Sequence, residues 1–179
     1  MQLYLIRHTR LQAEGLCYGR HNPPLAPSFA VEAEAVKASF SEVEPMAVYS
    51  SPAARCRALV EHLGWQTRYD PRLQELDFGD WEGRAWHDIP RAESEAWTAD
   101  FVRRAPPNGE SYAALQARVV EFLRELQQQG AAQAVIVSHA GVIRAALAWL
   151  RNIPLEHSFQ RISVDYGEVI ISPFPALRG

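Results

Sequence analysis

Three apolar runs in this chain stop abruptly at polar or charged residues. Leu3–Ile6 ends on Arg7-His8, and Ala47–Tyr49 ends on Ser50-Ser51-Pro52 ahead of Arg55. Ala134–Val137 ends on Ser138-His139-Ala140-Gly141. A short strand that is apolar on both faces belongs inside a sheet covered from both sides, which is the condition of parallel sheets. In such sheets ligands bind beyond the carboxyl ends of the strands. If the three strands are parallel neighbours, Arg7, His8, Arg55 and His139 therefore meet in one pocket.

The intervening segments support that arrangement. A polar, proline-rich stretch runs to Pro27, too long for a simple turn and so a candidate functional loop. Ser28 is placed to cap a helix carrying Val31, Ala35, Val36 and Phe40. A strand is expected over 46–51, a helix over 53–63 and a weaker edge strand over 66–70. A long helix over 111–129 presents Leu115, Val119, Phe122, Leu123 and Leu126 on one face, with Ser111 as its cap and Glu110 near the positive end of its dipole. Residues 142–150 read as the helix after the third strand, and 161–172 as two final strands joined by a turn at Tyr166-Gly167. Strands alternating with helices give an α/β class with a mostly parallel sheet. Its 179 residues suit one domain, 1–179. The poorly periodic stretch 72–107, with a short helix around 93–103 and Trp81, Trp86 and Trp97, is the expected pocket wall.

Bulk properties remove several classes of partner. A net charge of -3 gives no electrostatic reason to expect nucleic acid or a membrane surface. Two cysteines make no disulfide framework, and no apolar run reaches membrane-spanning length, so a cytoplasmic protein is expected. Cys17 with His21 lacks a second pair to complete a metal site. The 17 arginines against one lysine make any single arginine less telling. Oligomeric state is open, a homodimer included.

Two arginines and two histidines make a cationic cup suited to a phosphate dianion, because guanidinium offers forked donors. The Ala140 amide, at a helix start, adds a backbone donor. A neutral imidazole can attack phosphorus and carry the phosphoryl group, while nearby cations stabilise the equatorial oxygens. The departing oxygen needs a proton, and Glu75 in "LQELDFGDWEG" is the leading candidate over Asp77, Asp80 and Glu82. Tyr18 and Trp81 could stack on a ring-bearing substrate, with Gly19 beside them, although aromatics more often simply pack. His21, His62, His87 and His157 read as surface or structural, and Arg103 and Arg104 as solvated. Other phosphatase chemistries fail on spacing. Six residues after Cys17 and Cys56 stand Pro23 and His62 rather than arginine, and the chain contains no Asp-x-Asp pair.

The pieces "LIRH", "YSSPAARCRA", "LQELDFGDWEG", "PNGESY" and "VSHAGVIRAAL" resemble, in order, the motifs of the histidine phosphatase superfamily in its phosphoglycerate-mutase-like branch. "GLCYGRHNPPL" and the short length resemble its alpha-ribazole phosphatase group. The resemblance implies a three-layer α/β/α sandwich and a metal-free phosphomonoesterase without cofactor. It implies His8 as the phosphorylated nucleophile, Arg7 and Arg55 on the phosphate, His139 opposite, and Glu75 as general acid. The small-molecule substrate it implies is alpha-ribazole 5'-phosphate, in cobalamin nucleotide-loop assembly. Phosphoglycerate mutase, a broad sugar or nucleotide phosphatase, and a non-catalytic phospho-ligand binder are the alternatives. The chain departs from the family pattern at Thr9, Arg10, Leu11 and Glu14, where glycine, glutamate, threonine and asparagine are usual. It also has Asn22 for aspartate and Ala140 for glycine.

Overall fold

The computed structural model describes residues 1–40 and 47–175. Its centre is a five-stranded sheet in the order β3-β2-β4-β1-β5, formed by β1 (Gln2–Arg7), β2 (Val48–Ser50), β3 (Arg68–Tyr69), β4 (Gln133–Ser138) and β5 (Val169–Pro173). The first four strands run parallel and β5 joins β1 antiparallel. The expected start of the second strand, Met46, lies outside the described residues.

Alternate side chains of the inner strands go to opposite faces, as a pleated backbone requires. Leu3, Leu5, Ala134 and Ile136 pack against α4 (Tyr112–Gln128) and α5 (Ala140–Leu150). Tyr4, Ile6, Val135 and Val137 pack against α1 (Phe29–Ala38) and α2 (Ala54–His62). Both faces are thus covered, giving three α/β/α layers. The long helix buries the expected stripe of Leu115, Val119, Phe122, Leu123 and Leu126, and the Ser111 hydroxyl accepts from the Ala114 amide as its cap. A shorter helix, α3 (Arg91–Ala99), buries no residue fully.

Two expectations are corrected. Residues 161–172 supply one strand rather than two. A short helix, α6 (Ser158–Arg161), precedes an extended segment whose carbonyls are engaged by side chains, with Ile162 accepting from Arg144 Nε and Val164 from Arg7 Nη1. Those carbonyls are therefore not in a ladder. The turn at Tyr166-Gly167 is present, with Gly167 at φ 66° and its amide directed at the carbonyls of Arg7 and His8. Ser28 precedes α1, but its hydroxyl donates to the Glu32 carboxylate instead of capping the backbone. Glu110, directly ahead of the Ser111 cap as expected, is also the counter-ion of Arg118, at 2.7 Å.

Candidate active site

The register of the sheet creates the site. Arg7 pairs with Ser138 across β1 and β4, so the next residues, His8 and His139, leave the sheet side by side. Their rings stand edge-on with centroids 5.2 Å apart. The His8 amide donates to the Ser138 carbonyl and the Ser51 amide to that of Val137, which ties the three strand ends together. His8, Ser51 and His139 are buried.

Each histidine is fixed by its partners. Nδ1 of His8 lies 2.7 Å from the Thr9 carbonyl, an acceptor only, so Nδ1 carries the proton and Nε2 keeps its lone pair. Burial, followed by the charge of Arg55, drives the His8 pKa well below the ordinary histidine value despite the opposing Thr9 bond. His8 is therefore neutral at pH 7 with an available nucleophilic nitrogen. His139 is lowered in the same way by burial and by Arg55. Its Nε2 lies 2.8 Å from the Ser51 hydroxyl, and its Nδ1 accepts from Arg55 Nε at 3.1 Å.

The site opens into a cavity of about 320 Å³ with two chemically distinct parts. The polar part contains Arg7, His8, Glu75, the α5 start at Ala140-Gly141, and Arg144. The other part is aromatic and aliphatic: Leu16, Tyr18, Phe78, Trp86, Trp97, Phe101, Tyr112 and Phe159. Arg7 presents a guanidinium whose Nη1 donates to the Val164 carbonyl at 2.8 Å, while its buried Nε has no partner among the described residues. A buried donor left open costs free energy unless a ligand satisfies it.

Among the four carboxylates of "ELDFGDWE", only Glu75 lines this cavity. Its Oε2 accepts from the Gly141 amide at 3.0 Å and its Oε1 from the Leu76 amide at 3.0 Å. Asp77 accepts from the Gly79 amide and Asp80 from the Asn108 side chain. Glu82 accepts from the amides of Gly19, Arg20, His21 and Phe78. Burial alone would raise the Glu82 carboxyl, but these four donors more than offset it and hold it below the usual range. Glu82 thus anchors a loop, and Arg118 steadies the backbone at Glu75 through a bond to its carbonyl while paired to Glu110.

The remaining expected site residues divide. Ala140 and Tyr18 line the cavity. Arg55 and His139 do not: both are fully buried, with Arg55 Nη2 on the Gly19 carbonyl at 2.6 Å and Nη1 on that of His21 at 2.9 Å. Gly19 contributes that carbonyl, and a side chain there would overlap the Leu76 backbone. Trp81 lies away from the cavity, buried with Cys17 and Ile89, its indole N–H on Glu93. Among the family departures, Thr9 is buried, Arg10 pairs with Glu32 and Glu14 is exposed. Asn22 accepts from the Ala54 amide at the start of α2. Sequence reasoning did not single out Arg144 or Tyr166. The guanidinium of Arg7 lies 3.4 Å from the Tyr166 ring centroid, and the Tyr166 hydroxyl meets that of Tyr18 at 2.7 Å.

Among the described residues no group of three His, Cys, Asp or Glu side chains is placed to hold a metal ion, and no helix is long and apolar enough to cross a membrane. A neutral histidine with a free nitrogen, a guanidinium donor and a carboxyl group around one cavity can bind a phosphate ester, attack it and protonate its leaving oxygen.

Comparison with known proteins shows similarity to phosphatases. The chain is 31% identical to the adenosylcobalamin/alpha-ribazole phosphatase of Escherichia coli K12, over 93% of this chain and 87% of that one. The crystal structure of the alpha-ribazole phosphatase from Shigella flexneri superposes with a TM-score of 0.88 at 30% identity, over 96% of this chain and 89% of its own. A phosphoglycerate mutase from Thermus thermophilus superposes with a TM-score of 0.77 at 31% identity, over 98% and 94%. The model of branch 1 of the histidine phosphatase superfamily matches residues 3–174, and the chain belongs to that superfamily.

Proposed function

We propose that this histidine phosphatase hydrolyses phosphate monoesters through a phosphohistidine on His8, with alpha-ribazole 5'-phosphate as its substrate. The observation that carries the chemistry is the placement of His8 and Glu75 on one cavity, the first neutral with Nε2 free and the second the only carboxylate of its segment facing it. His8 Nε2 attacks phosphorus, the P–O bond to the alcohol breaks, and Glu75 gives that oxygen its proton. Water, deprotonated by Glu75, then releases phosphate from His8. Arg7 holds the phosphoryl oxygens with the open Nε, and the α5 amide at Ala140 adds a donor. His139 and Arg55 support this grip from behind.

Two observations favour the substrate. The cavity walls supplied by Phe78, Trp86, Trp97, Phe101 and Phe159, largely from the 72–107 segment, suit a flat apolar ring, and alpha-ribazole carries a benzimidazole. Relatives named as alpha-ribazole phosphatases match nearly the whole chain. Hydrolysis is favoured over return of the phosphoryl group because a mutase must exclude water from its intermediate. Here two wall residues are open to solvent, Trp86 at 40% and Phe159 at 52% exposure.

The test is kcat/KM for alpha-ribazole 5'-phosphate beside sugar phosphates, nucleotides and 3-phosphoglycerate, with His8→Ala as the blank. A preference of about a hundredfold, roughly 2.7 kcal/mol of transition-state discrimination, is expected. A flat profile removes the substrate assignment, and activity in His8→Ala removes the nucleophile.

A further inference from the structure

Tyr18 and Tyr166 come from segments 148 positions apart, and neither sits in a helix or strand. Their hydroxyls nevertheless meet at 2.7 Å, and each ring carries a cation. The Arg7 guanidinium stacks on Tyr166 at 3.4 Å, and that of Arg55 lies 5.4 Å from the Tyr18 centroid. The His8 ring stands edge-on to Tyr166 at 5.6 Å. Among the described residues neither guanidinium pairs with a carboxylate. Arg7 donates to one carbonyl, and Arg55 to two backbone carbonyls, the Asn22 side-chain oxygen and His139.

Two cations gathered near one site repel each other, and the Arg7 side chain, held by one hydrogen bond, can swing away where the multiply bonded Arg55 cannot. A carboxylate would hold them but would also compete with the phosphate. An aromatic face attracts a guanidinium without offering an anion that the substrate must displace. We propose that Tyr18 and Tyr166 form a hydroxyl-linked clamp that positions Arg7 relative to the fixed Arg55 in place of a counter-anion. The clamp ties the loop after β1 to the turn before β5, so the cations are set before phosphate arrives. Tyr166 acts through Arg7 and is a positioning residue. The inference rests on the reading of this cup as a phosphate site.

The experiment compares the parent with Tyr18→Phe, Tyr166→Phe, the double variant and Tyr166→Leu. The readouts are inhibition by inorganic phosphate, kcat/KM on 4-nitrophenyl phosphate, and Tm. Either Phe variant breaks the same hydroxyl bond, so each should weaken phosphate inhibition by about fivefold and the double variant no further. Tyr166→Leu also removes the stack and should weaken it by about a further thirtyfold, the size of a desolvated cation–aromatic contact. A residue that only packs would lower Tm and leave phosphate inhibition unchanged. The proposal is overturned if phosphate inhibits Tyr166→Leu within twofold of the parent, or if the two Phe effects multiply in the double variant. Should Tyr166→Leu fail to fold, the Phe series decides alone. His8→Ala separates the two readings: activity there would sink the phosphohistidine, while phosphate affinity would still report on the clamp.

Discussion

Arg55 Nε donates to His139 Nδ1 at 3.1 Å, so the second histidine of the site is held as a neutral ring whose proton lies on Nε2 and points to Ser51. Three side chains from three segments are thereby locked in one orientation. Ser51→Ala removes the acceptor for that Nε2 proton while Arg55 still fixes the tautomer and the buried ring stays in place. It should lower kcat/KM by about tenfold, the cost of one lost hydrogen bond to a group near the reacting centre. His139→Ala should cost about a hundredfold or more, equally on activated and unactivated esters, because it disturbs phosphate binding and not proton delivery. A loss confined to poor leaving groups would make His139 the acid.

In the proposed reaction Glu75 delivers the proton, and its replacement has a different signature. Glu75→Gln keeps an oxygen to accept from the Gly141 amide but has no proton to give. In kcat/KM, which reports formation of the phosphoenzyme, an alkyl phosphate should lose a factor on the order of 10² to 10⁴, while an activated aryl phosphate, whose leaving group needs no proton, should lose less than about fivefold. Equal losses on both would transfer the role to another group, Asp77 first.

Gly141 offers a test in which activity and stability separate. It lies in the first turn of α5, where alanine is the better helix former by about 1 kcal/mol. Yet a Cβ there would run into Glu75 Oε1. Gly141→Ala should therefore leave Tm unchanged or slightly higher while displacing the carboxylate and depressing kcat on alkyl phosphates. A lower Tm with unchanged kcat would mean that α5 moves and Glu75 does not.

The sheet and its helices were legible because their signals are local. Val135–Val137 is apolar on both faces, and Leu115 to Leu126 repeats at the helical period. Arg7, His8 and His139 follow from where the strand signals stop, while Glu75 was legible only as the leading carboxylate of the poorly periodic "LQELDFGDWEG". Tyr166 and Arg144 were not legible, since their value comes from contacts with residues distant in the chain. Trp81 illustrates the converse. Its neighbours Trp86 and Trp97 line the cavity, while it is buried in a small cluster behind them, and no sequence period distinguishes the three. The supposed C-terminal hairpin misled because Ile162 and Val164 alternate like a strand, while their carbonyls are taken by Arg144 and Arg7.

The two buried histidines also fix how stability depends on pH. In the folded protein the pKa values of His8 and His139 lie well below the ordinary value, with burial the first cause, while in the unfolded chain they return to about 6.5. As pH falls below about 6.5 the unfolded state binds protons that the folded state refuses, so stability present at pH 7 is lost. Each histidine contributes at most about 1.4 kcal/mol per pH unit. The carboxylates held low by partners, Glu32, Asp70 and Glu82, act only nearer pH 4 and leave the window from 6.5 to 5 to the histidines. Urea unfolding at pH 7.5, 6.5 and 5.5 should show little change over the first step and a clear loss over the second. His8→Asn, compared with its own stability at pH 7.5, should lose about half as much. Equal midpoints at pH 6.5 and 5.5 in the parent would mean that the histidines are protonated in the folded site, which would deny His8 the lone pair that attack on phosphorus requires.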